Sequence, residues 1–89
     1  MRAIVTVVGR DCVGIIAEVS ALLSESSINI LDISQTVLAE FFTMVMLVDM
    51  KACKSPFSEV ADRLEKKGQS MGVSARIQRE DIFEAMHRI

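Results

Sequence analysis

Residues 41–50, Phe-Phe-Thr-Met-Val-Met-Leu-Val-Asp-Met, are apolar on both alternating sets of positions. A run this short reads as a strand, and a strand sends successive side chains to opposite faces, so both faces of this one need cover. It is therefore the central strand of a sheet, and the rest of the chain must supply its neighbours and its covering layers.

Those partners are legible from periodicity. Residues 2–8 are short and rich in β-branched side chains, which predicts a strand ended by Gly9-Arg10-Asp11. From Gly14 to Ser26, Ile15, Ile16, Val19, Leu22 and Leu23 fall on one helical stripe, with Asp11 as a candidate N-cap. Residues 28–39 alternate Leu31, Ile33, Val37 and Ala39 against Asp32, Ser34 and Thr36, the pattern of a strand with one wet face. A break at Glu40 makes a hairpin with the central strand.

Ser55-Pro56 starts a second helix, with the serine as N-cap and the proline at the first helical position. Phe57, Val60, Ala61 and Leu64 form its buried stripe, and Gly68 is placed as its left-handed cap. The two helices are expected at about residues 14–26 and 56–67. Residues 72–79 return to alternation, and Asp81 could cap a tail in which Ile82, Phe83, Met86 and Ile89 share a face.

Strand, helix, strand, strand, helix, strand is the split βαβ order of an α+β, ferredoxin-like βαββαβ sandwich, here with a short C-terminal helical tail. The expected organisation is a single domain over residues 1–89, core 2–79 and tail 80–89. Its sheet order is fourth, first, third, second. Two helices cover one face of the sheet. Ile4, Val8 and one whole parity of the third strand then lack cover, which predicts at least a dimer in solution, the tail being placed to cover part of that surface.

Composition removes several functions. At 51% hydrophobic and 25% charged the chain is too apolar for disorder and too evenly charged for a membrane span. Net charge is −2 with no Trp or Tyr, which argues against nucleic acid as a partner. The apolar N-terminal run is too short for a secretory leader, so a cytoplasmic location is expected. Met44, Met46 and Met50 lie on one parity and read as tolerant core. Cys12, Cys53 and His87 have no metal or redox spacing, and none has a local signature of a nucleophile with its base. Neither catalysis, a metal nor a cofactor is expected. An activated Cys12 thiolate would rest on a helix dipole alone.

The segment with chemistry is Gly9-Arg10-Asp11-Cys12-Val13-Gly14-Ile15, which joins a strand to a helix through two glycines. Free N–H groups and a positive dipole end suit an anion there. The same glycines equally serve a tight turn and close packing. It is neither a Walker loop nor a complete dinucleotide fingerprint. Asn29 reads either as a ligand-binding amide or as a turn residue.

This segment, continued by Ile16-Ala17 and followed by Asn29-Ile30, resembles the ACT domain family, whose loop reads Asp-x-x-Gly-Ile/Leu before the helix. Typical members carry a proline in the loop where this sequence has Cys12 or Val13. Residues 2–79 carry the resemblance, and the whole chain, with Asp32-Ile33-Ser34-Gln35-Thr36 and the tail from Gln78, is similar to small stand-alone ACT proteins of bacteria and archaea. The resemblance implies a regulatory sensor for an amino acid or small carboxylate, acting on a separate enzyme. Its expected ligand-binding residues are Asp11, Cys12, Val13, Gly14 and Ile15, with Asn29 brought from the partner of a homodimer. The alternative is an oligomeric interaction module with no small-molecule ligand.

Overall fold

The computed structural model describes residues 1–10 and 14–87. In chain order it contains β1 (Arg2–Gly9), α1 (Ile15–Glu25), β2 (Asn29–Leu38), β3 (Phe41–Asp49), α2 (Phe57–Met71), β4 (Ser74–Arg79) and α3 (Glu80–His87). The strands form one antiparallel sheet in the order β2-β3-β1-β4. This is the ferredoxin-like βαββαβ sandwich with a terminal helix.

The core lies between the sheet and the α1–α2 layer. Ala3, Val5 and Val7 of β1 and Phe42, Met44, Met46 and Val48 of β3 meet Ile15, Val19, Leu22 and Leu23 of α1 and Val60 and Leu64 of α2. Each fully buried aliphatic chain of this kind contributes about 1.5–3 kcal/mol, so the inward parity of β1 and β3 dominates the fold. Met44, Met46 and Met50 all belong to it.

The opposite face is partly covered from within the chain. α3 leaves β4 directly and turns back onto β1 and β4, where Arg2 pairs with Glu80 at 2.6 Å. Phe83 lines a depression with Thr6, Val45, Arg76 and Gln78. Ile4, expected to be bare, is therefore only 9% exposed, and Val45 and Leu47 are half-buried. Val8, Leu38 and Phe41, farther along the same face, stay exposed.

Four local expectations are corrected. Gly68 does not end α2: it is buried inside the helix, which caps instead at Gly72 with φ 75°. A Cβ on Gly68 would fall 2.9 Å from the carbonyl oxygen of Val73 and 3.0 Å from Ala75 Cβ, so this glycine lets α2 lie close against β4. Pro56 is itself the N-cap, with extended ψ of 147°, and no side chain caps that end. α3 begins at Glu80, so Asp81 is its second residue; its carboxylate accepts the N–H of Ile82 at 3.0 Å.

The fourth correction concerns β2, which is wet on both faces. Ile33 and Val37 pair with Met46 and Phe42, and so point to the helix side, yet they are 39% and 68% exposed. The helix layer does not reach this edge beyond Ile30. A β-bulge at Leu31, between the Ile30–Val48 and Asp32–Leu47 pairs, resets the alternation. The hairpin turn that follows holds Ala39 at φ 55°.

Candidate functional site

The register of β1 locates the loop. β1 starts at Arg2, opposite Asp49, and ends at Gly9, opposite Phe42. On the far side of the loop, Gly14 is the N-cap of α1, with φ 78° and no side-chain capping bond. The first intrahelical bond is from Glu18 N–H to the Gly14 carbonyl at 3.0 Å. The N–H groups of Ile15, Ile16 and Ala17 precede it and leave α1 with a donor-rich, partially positive end.

Of the expected site residues, Asp11, Cys12 and Val13 lie outside the described residues. Gly14 is exposed, and a Cβ built on it meets no described atom within 4 Å. Its glycine requirement is therefore one of backbone conformation, with no described atom packed against it. Ile15 is 1% exposed and its side chain belongs to the core. Only its N–H can serve a ligand. Gly9 has the packing role that the turn reading assigned to it: a Cβ there would lie 2.9 Å from Val73 Cβ.

Asn29 is exposed at the start of β2, opposite Asp49. Gly9 is opposite Phe42, and the span of β3 between these two positions is about 23 Å at about 3.3 Å per residue. One chain therefore keeps Asn29 and Gly14 at opposite ends of the sheet. Leu38, at the far end of β2, pairs with Phe41 and lies at the loop's end.

One residue went unnoticed in the sequence. Arg10 stacks its guanidinium over the Phe41 ring, 5.5 Å from the centroid, which fixes a cation beside the loop. Its place immediately before Asp11 was the available signal, but its aromatic partner follows only from the β1–β3 register. Elsewhere, Cys53 is half-buried, its thiol 3.6 Å from the Ser55 carbonyl. Among the described residues no three His, Cys, Asp or Glu side chains are grouped to hold a metal, and no helix is long and apolar enough to cross a membrane. The Asp62 carboxylate raises the Lys66 ammonium above its ordinary pKa, by hydrogen bond first and charge second, on an exposed turn of α2.

The ACT domain family model matches residues 2–78. The chain belongs to the ACT domain family. It is 53% identical over 89 residues to a UPF0237 protein of Clostridium acetobutylicum, covering 100% of both chains. A UPF0237 protein of Methanocaldococcus jannaschii is 48% identical over 88 residues, covering 99% of this chain and 98% of that one. Among solved structures, an ACT domain protein from Streptococcus pneumoniae superposes with a TM-score of 0.83 at 47% identity, over 98% of each chain. ACT domains are in general regulatory modules that bind small molecules, and this one places β1 and α1 within its first 25 residues.

Proposed function

We propose that this ACT domain is a cytoplasmic regulatory sensor. It binds an amino acid or related carboxylate at a dimer interface and modulates a separate partner protein. The reading takes residues 1–89 as one domain and assigns no catalytic step to it. The ligand carboxylate is received by the N–H groups of residues 12–15, with Asp11 in the proposed ligand-binding set and the partner's Asn29 supplying a neutral amide.

The observation that carries this reading is the state of β2. It is a ten-residue edge strand whose Leu31, Ile33, Val37 and Leu38 are all exposed. Long apolar edges invite another strand. Two β2 strands paired antiparallel about a two-fold axis bring each Asn29 beside the other copy's Leu38, the end of the sheet that carries the glycine loop. The 23 Å separation within one chain then becomes proximity between two.

A small ligand gains limited contact energy, so affinity of about micromolar to millimolar is expected. A thermal-shift screen of the twenty amino acids at millimolar concentration, followed by calorimetry, tests it. Asn29→Ala should weaken binding by about 1–3 kcal/mol. Gly14→Val would add backbone strain at φ 78°, so Gly14→Asn, which tolerates that conformation, is the better block to ligand approach. No stabilisation by any amino acid, nor by small carboxylates screened beside them, would refute the sensor reading. The second reading, a ligand-free interaction module, is favoured by Val8, Leu38 and Phe41, all exposed on the face opposite the helices. A protein partner bound equally with and without amino acids would identify it.

A further inference from the structure

Arg63, in the middle of α2, is half-buried in the helix layer. Its Nη2 donates to the hydroxyl of Ser26, which is 6% exposed. Its Nε is buried without a hydrogen-bond partner, and no described carboxylate pairs with it. A guanidinium is costly to hold this way, and an apolar side chain of similar volume would avoid the cost. Its contact with Ser26 is therefore the feature to explain.

Ser26 is the C-cap of α1. Its N–H bonds the carbonyls of Leu22 and Leu23 at 3.2 and 3.1 Å, and its hydroxyl donates to the Leu22 carbonyl at 3.0 Å. α1 has no basic residue in its last turn, so the positive charge favoured at a helix C-terminus comes from α2 through Arg63. The chain then enters β2 with no slack. Ser27 is held at φ 59°, Ile28 donates its N–H to the Leu23 carbonyl at 2.9 Å with its side chain buried, and Asn29 follows as the first residue of β2. A non-glycine residue keeps such a φ only where its surroundings fix it.

We propose that Arg63 is a positioning residue for Asn29: its clamp on Ser26 sets where Asn29 is presented to a second copy, and so couples α2 to ligand binding across the subunit boundary. This rests on the reading that Asn29 completes the partner's site. It adds that the coupling runs through the α1 cap, so movement of α2 and occupancy of the site each affect the other.

The test is a double-mutant cycle read by calorimetry on the full chain, titrated with the twenty amino acids one by one. Loss of a charged hydrogen bond that orients Asn29 should weaken binding about tenfold in Arg63→Met. In an Asn29→Ala background the same change should alter affinity by less than about twofold, because there is no amide left to position. Equal factors in both backgrounds would overturn the proposal and leave Arg63 a purely structural cap. If Asn29→Ala abolishes binding, Asn29→Ser, which also lacks the amide, takes its place in the cycle; if Arg63→Met does not fold, Ser26→Ala breaks the same clamp. Equal binding by the parent and Asn29→Ala would remove both residues from the site. A parent that binds no amino acid refutes the sensor reading itself, an outcome distinct from a cycle that merely adds up.

Discussion

The two edges of the sheet solve the same problem in opposite ways. β4 is six residues long, buries Ala75 and Ile77 under α2, and shows Arg76 and Arg79 to solvent. α2 presses close through Gly68, and the chain turns away at once into α3. Short length, outward charge and a covering helix are the ordinary means of blunting an edge. β2 is ten residues long, Asp32 is its one charged residue, and its apolar side chains remain exposed on both faces. One edge is closed within the chain, and the other stays open.

The largest effect expected from this contrast is on β4. Ile77→Ala should cost about 2–5 kcal/mol in urea unfolding, because the side chain is 7% exposed in a packed layer. The same truncation of Ile33, 39% exposed on β2, should cost less than half as much in dilute protein. Equal costs would mean that both edges are buried in the working assembly.

Next comes association. Val37→Lys places a charge on the β2 edge and should weaken self-association about 100-fold, or about 2.7 kcal/mol. Arg76→Glu on β4 should leave it unchanged. Light scattering across a micromolar dilution series decides this; a parent mass retained by Val37→Lys would take β2 out of the interface.

Smaller effects probe how each end of the sheet is packed. Gly9→Ala forces a methyl against the β-branched Val73 and should destabilise by about 1–3 kcal/mol, read by chemical denaturation. An unchanged midpoint would show that Val73 can yield. Ala39→Gly, in the hairpin that carries β2, relieves a left-handed alanine and should stabilise by about 0.5–1 kcal/mol, seen as a raised melting temperature. No gain would mean that the turn relaxes without it.

The same contrast explains what sequence reasoning could and could not reach. Element order, sheet order and the inward parities of β1, β3 and β4 were legible, because each follows from a period of 2 or 3.6 matched to a single buried face. The exposure of Ile33 and Val37 was not. Alternation reports which side a residue faces, while cover depends on how far the helix layer extends across the sheet. Gly68 misled for a related reason: a glycine after two lysines has the composition of a helix end, and only the nearness of Val73 and Ala75 shows that it is an interior contact. At the candidate site, the left-handed Gly14 was foreseeable from its place between strand and helix. The Arg10–Phe41 stack and the Arg63–Ser26 clamp join residues distant in sequence, which no local pattern encodes.

The bulge at Leu31 gives β2 something a uniform strand lacks, a landmark along its length. With Leu31 taken out, Ile30, Asp32 and Ile33 would alternate without interruption, so this residue serves phase more than pleat. A regular ribbon can slip by two residues against a copy of itself and still show the same side chains on each face. An interrupted one cannot, because the two kinks fit only at one offset. Under the proposed β2–β2 pairing Leu31 would act as a detent: it would index the two ribbons and turn the separation between one copy's Asn29 and the other's Gly14 into a fixed length instead of a sliding one.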